Sequence, residues 1–160
     1  MFQLNKQACD EWFKHLISKS PFSDAPQMDI YHMCFVVGTL SVLNNNNNDF
    51  VELEDPKAPF YSKGWPSEYR NNADSIIALL LESEIVRLDY DRNNKELIKS
   101  FVDSYLDTNS ITKLSNEGIN LMNRYSFNGY LKIKNTIKQP PTEPTTFLIQ
   151  YQKIIEDLSR

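Results

Sequence analysis

Cys9, His15, His32 and Cys34 are the side chains of this sequence best suited to hold a metal ion. Their spacing matches no zinc pattern. On helices, Cys9 and His15 lie about 120° apart and His32 and Cys34 about 160° apart, so neither pair converges on one face. They read as core or boundary residues, and no metal or cofactor is expected. Nucleophilic catalysis needs a Ser or Cys held by a base. The chain has no Gly-x-Ser-x-Gly elbow and few histidines, so no triad suggests itself. Glu52 with Glu54, and Asp89 with Asp91, alternate in polar stretches, where solvated charge is the ordinary outcome. Asp55-Pro56-Lys57 has a superficial likeness to a nuclease core but lacks a supporting hairpin pattern. Neither Gly-x-Gly-x-x-Gly nor a Walker A sequence occurs. The sequence therefore predicts a chain that is not an enzyme.

Two groups of residues point instead to binding. Nine Phe, eight Tyr and two Trp make up 12% of the 160 residues, more than a core of this size must hold. Trp, Tyr and Arg are the types that anchor interfaces. Trp65, Tyr69 and Arg70 fall where a loop meets a helix. Asn123, Arg124 and Tyr125 fall just before Asn128-Gly129, read as a chain break. These six are the candidate protein interface. Lys132, Lys134 and Lys138, beside Tyr125, Phe127 and Tyr130, are the one basic stretch, and mixed basic and aromatic residues can bind single-stranded nucleic acid. The alternative reading is therefore a DNA-binding winged-helix or helical regulator over 67–138. Against it stands the charge. Seventeen Lys+Arg face 21 Asp+Glu, a formal net charge of -4, whereas phosphate-binding domains are usually basic.

The elements that must position these residues are helical. Residues 5–18 carry Ala8, Trp12, Phe13, Leu16 and Ile17 on one helical face. Pro21 and Pro26 bracket a loop, with Pro26 just inside the next helix. Residues 28–43 are apolar on most sides and predict a buried central helix. The asparagine tract and Asp49, 44–49, predict a mobile loop. A long irregular connection, 50–66, carries apolar residues that lie across the helices. Pro66 opens a helix to about Val86, with Glu82, Glu84 and Arg87 on its solvated face. Further helices are expected at about 95–107, after Ser115 as N-cap, at 130–137, and from Thr145 to Leu158 beyond a stiff Pro-rich linker at 139–144. The scarcity of glycine and the lack of alternation argue against a sandwich or barrel. The expected fold is all-α, a single-domain bundle of about five to seven helices.

The first residues lack an apolar stretch of signal-peptide length. The longest apolar run, Ile76 to Leu81, is far below the roughly 18 residues a membrane span needs. Two cysteines cannot build a multi-bridge secreted framework, and a single disulfide is the most they could form. A cytoplasmic chain with no membrane contact is expected.

Four stretches carry a resemblance. They are Asp29-Ile30-Tyr31-His32-Met33-Cys34-Phe35-Val36-Val37-Gly38, Gly64-Trp65-Pro66-Ser67-Glu68-Tyr69-Arg70, Leu114-Ser115-Asn116-Glu117-Gly118, and Asn123-Arg124-Tyr125 with Asn128-Gly129-Tyr130-Leu131. Together they resemble small helical accessory proteins of bacterial phage-defence loci, those associated with Dnd DNA-phosphorothioation systems. The resemblance implies a non-catalytic interaction subunit of an antiviral defence complex. Its partners would be protein subunits of the same locus, of ATPase or nuclease type, with any DNA contact made through the complex. No residue is matched to a functional position of that family.

Overall fold

In the computed structural model, residues 1–19, 26–45, 50–59 and 64–160 are described. They form one π-helical turn, Ala8–Trp12, and seven α-helices: α1 Lys14–Lys19, α2 Pro26–Asn45, α3 Ser67–Arg70, α4 Ala73–Arg87, α5 Lys95–Tyr105, α6 Asn116–Ile137 and α7 Pro144–Leu158. The described residues contain no sheet; two isolated antiparallel bridges join Asn5 to Pro56 and Leu106 to Leu114. The all-α expectation holds. A winged helix over 67–138 would need a β-hairpin wing, and that stretch carries only the Leu106–Leu114 bridge.

The helix that is apolar on most sides, α2, lies at the centre and packs against α1, α4, α6 and α7. Met28, Tyr31, Cys34, Phe35, Val37 and Val42 are all buried along it. Its principal partner is α6, about 33 Å long at 1.5 Å per residue. The two helices touch backbone to backbone. A Cβ on Gly38 would overlap the Tyr125 carbonyl oxygen, and one on Gly129 would overlap that of Cys34. Asn128-Gly129 therefore does not break the chain. Glycine here removes side-chain bulk from a helix crossing, and α6 runs straight through it. Ser115 does cap α6, its Oγ accepting from the Gly118 N–H at 3.1 Å, and Lys138 closes the other end in the left-handed region at φ 65°.

Other boundaries moved for local reasons. The 5–18 helix divides at Phe13, whose N–H bonds the Ala8 carbonyl five residues back at 2.8 Å. This wider turn lets Trp12 and Phe13, adjacent in sequence, both face the core. The helix after Pro66 divides at Asn71 and Asn72, a residue type that competes for backbone hydrogen bonds. Asn44 and Asn45 complete α2, while 46–49 lie outside the described residues, as do 60–63 of the long connection. In the Pro-rich stretch before α7, Pro141 is buried.

Residues 1–5 run back across the bundle with Phe2 and Leu4 buried. They pair with the long connection. Lys6 N–H donates to the Asp55 carbonyl at 2.9 Å, and Lys57 N–H to that of Leu4 at 2.9 Å. The Asn5 amide adds a bond to the Glu54 carbonyl at 2.7 Å. The start of the connection, 50–57, is thus a strip held by the first residues of the chain.

Candidate functional site

The six predicted interface residues divide by burial. Trp65 is inside, its indole N–H bonded to the Thr112 carbonyl at 3.0 Å and its ring 4.8 Å from that of Phe2. Asn123 and Tyr125 are buried as well. A side chain held in the core cannot anchor a partner docking on this surface, which corrects those three assignments. Tyr69 is half-buried, with its hydroxyl on Asp29; Arg124 is half-buried, and Arg70 is exposed.

The three lysines do not form a face. Lys132 is exposed beside Asp157 in a groove between α6 and α7. Lys134 projects about 160° away from it around the helix. Its ammonium lies 5.8 Å from the Trp12 ring and 5.7 Å from that of Tyr130, and it bonds Gln7 Oε1 at 3.0 Å. Lys138 sits at the helix end. A nucleic-acid strip along α6 is not what this spacing makes.

The four metal candidates differ in burial, with His15 exposed and His32 half-buried. Cys9 and Cys34 are free and buried. Burial pushes the Cys9 thiol up to about 11 and that of Cys34 well above its usual value, so little reactive thiolate is present at neutral pH. Among the described residues no group of three or more His, Cys, Asp or Glu could hold a metal ion. No described helix is long and apolar enough to cross a membrane.

What the fold does assemble is a charged aromatic cluster where α4 and α6 meet the strip at Phe50. Glu84 is 1% exposed. Arg87 grips it with two bonds, Nε to Oε2 and Nη2 to Oε1, both 2.7 Å, and the Tyr125 hydroxyl donates to Oε2 at 3.1 Å. These bonds to Glu84 hold the Arg87 guanidinium above its ordinary pKa. Burial, with Glu84 adding to it, raises the Tyr125 phenol, which stays protonated as a donor. The Phe50 ring lies 4.4 Å from that of Tyr125. The guanidiniums of Arg87 and Arg124 stand 5.1 and 5.3 Å from the Phe50 centroid. Arg124 Nη2 reaches Glu52 Oε1 at 3.1 Å, and its Nε is buried without a hydrogen-bond partner. Beside Arg124 a cleft of about 280 Å³ opens between α5 and α6, lined by Tyr105, Glu117 and Asn120 among others.

Sequence reasoning named Arg124 and Tyr125 but missed Phe50, Glu84 and Asn128 as members of this cluster. Glu84 was expected on the solvated face, yet it follows Ile77 and Leu80 at the spacing of seven and four that defines the buried stripe. That spacing, with Arg87 one turn on, was the available signal. Phe50 meets Tyr125, and Asn128 bonds the backbone of neighbouring Val51, only through the tertiary fold. Compared with known proteins, the chain matches no protein-family model, no curated protein and no solved structure.

Proposed function

We propose that this chain is a non-catalytic protein-interaction subunit of a prokaryotic antiviral defence complex, working in the cytoplasm beside ATPase or nuclease proteins of the same locus. The setting comes from the resemblance carried by the four sequence stretches. The observation that carries the interaction role is the outer face of α7. Its inner face, Phe147, Ile154 and Leu158, is buried in the bundle, while Leu148 and Ile149 are 46% and 54% exposed side by side. Gln152, Lys153 and Glu156 surround them on the solvent side. Adjacent apolar side chains within a polar rim are the makings of an interface centre.

The test is co-expression with the ATPase- and nuclease-type proteins encoded beside it, followed by size-exclusion chromatography with light scattering. A stable complex is expected. Leu148→Asp with Ile149→Asp is expected to abolish it while the chain still melts cooperatively, because both side chains lie on the outer face of α7 and about half of each is exposed. A strict monomer that joins none of these proteins overturns the reading.

A further inference from the structure

Residues 50–52 lie on α4 and α6 in the way a bound peptide would. Three kinds of contact hold them. The Asn128 amide reads the backbone: its Nδ2 donates to the Val51 carbonyl at 2.9 Å, and its Oδ1 accepts the Val51 N–H at 3.1 Å. A neighbouring β-strand would offer the same two bonds. They ignore the Val51 side chain, which is 41% exposed. The Phe50 ring fills a slot formed by Tyr125 and the guanidiniums of Arg87 and Arg124. The Glu52 carboxylate meets Arg124. None of these contacts depends on the strip belonging to the same chain.

The fit at Glu52 is incomplete. Its side chain is 75% exposed and its carboxylate meets Arg124 at Nη2, while the Arg124 Nε stays buried and unpartnered. With the guanidinium turned toward the adjoining cleft, an entering carboxylate takes Nε and Nη2 together in the forked geometry that makes arginine–carboxylate pairs strong. Glu117 lines the same cleft and, as a like charge, disfavours a second carboxylate within it.

The geometry points to a peptide-binding groove whose resident occupant is residues 50–52 of its own chain, and which accepts in exchange an extended partner segment bearing an aromatic residue two positions before a carboxylate. This deepens the proposed interaction role and rests on it. The tethered strip competes at millimolar effective concentration, so an incoming segment binds weakly until the strip is displaced.

The experiment is fluorescence anisotropy with a labelled Phe-Val-Glu-Leu-Glu-Asp peptide on the isolated chain. The Phe50→Ala/Glu52→Ala double variant is expected to bind it at least about tenfold more tightly than wild type, since the internal competitor is weakened. Adding Asn128→Ala is expected to erase the gain, as is replacing the peptide's Phe by Ala. Equal affinity in wild type and double variant overturns the groove, as does a gain indifferent to Asn128. A doubled mass by light scattering also overturns it, because the occupant is then a second copy. If the double variant fails to melt cooperatively, Glu52→Ala alone decides. It removes one exposed carboxylate and is expected to tighten binding by about threefold; no gain counts against the groove. No partner protein enters this assay. A chain that assembles through α7 but exchanges no peptide loses the groove alone; one that exchanges peptide but joins no complex loses the defence assembly alone.

Discussion

The Tyr31 hydroxyl of α2 donates to the Oδ1 of Asn123 on α6 at 2.8 Å. The same oxygen accepts the Gln3 N–H at 3.0 Å, and the Asn123 Nδ2 donates to the Met1 carbonyl at 3.2 Å. One buried carboxamide thereby joins the two central helices to the first residues of the chain. Its orientation follows from its partners, two donors on the oxygen and a carbonyl on the nitrogen. Asn123→Ala is expected to cost about 1–3 kcal/mol, the penalty for stranding buried polar groups. Asn123→Asp is expected to cost more, because a carboxylate oxygen would face the Met1 carbonyl without water. Urea denaturation gives both values, and amide exchange at Gln3 should accelerate in each variant. A change below about 0.5 kcal/mol in Asn123→Ala would remove the carboxamide from the fold's support.

The α2–α6 crossing gives an opposite expectation to the usual one for glycine. In an open helix, Gly→Ala adds about 0.5–1 kcal/mol of stability. At Gly129 the added methyl meets the Cys34 carbonyl, and at Gly38 that of Tyr125. Backbone carbonyls inside a helix cannot swing aside, so the helices must part. Each single substitution is expected to destabilise by about 1–3 kcal/mol, the range for an overpacked core. The double variant should lose less than the sum, since one separation accommodates both methyls. Additive losses would show that the two glycines do not share a contact.

Much of the frame was legible because it rests on periodicity. The long apolar run of α2, the Ser115 cap and the Pro-bounded start of α7 are local features, and each was placed within a few residues. The reading of Asn128-Gly129 as a break failed because the same glycine that loosens an isolated helix also permits close approach, and only the partner helix tells which applies. Trp65, Asn123 and Tyr125 were offered as interface anchors on residue type and on their place at a loop–helix junction or before an expected break. Residue type sets what a side chain could do, whereas burial decides whether a partner can reach it. The strip at Phe50 was rightly expected to lie across the helices, but its pairing with Asn128 spans 77 residues of sequence. No spacing rule reaches that far.

Glu84 and Arg87 supply a third expectation. The Glu84 side chain is 2% exposed and that of Arg87 15%, so solvent screens this pair little. Removing one partner from a buried pair typically costs about 3–5 kcal/mol. Arg87→Met should fall toward that range, because it leaves a buried carboxylate with the neutral Tyr125 hydroxyl as its remaining hydrogen-bond donor. Glu84→Gln should cost less, since the Arg87 head can turn to solvent. Combining the two should recover part of the loss, and a double-mutant cycle by chemical denaturation measures the coupling. A double variant no better than Arg87→Met alone would mean that the pair is not a unit.

His32 gives the fold a pH dependence. Its ring packs 5.2 Å from that of Tyr69 and 6.2 Å from that of Phe35. Burial lowers its pKa below the ordinary 6.5, and Asp29, one turn earlier on α2, offsets this in part. Asp29 also accepts the Tyr69 hydroxyl, so α3 rests on the same pair of side chains. With the folded pKa below the unfolded one, the unfolded chain takes up the proton first as pH falls. Stability from His32 is therefore complete above about pH 6.5 and declines as the pH falls from there toward the folded pKa. Wild type should lose stability over that window, and His32→Gln should flatten that part of the slope relative to wild type. Urea midpoints between about pH 7 and pH 5 would show the difference, and the His32 ring resonances should titrate below 6.5. A ring titrating above that value would reverse the sign and make the Asp29 charge, rather than burial, the dominant influence.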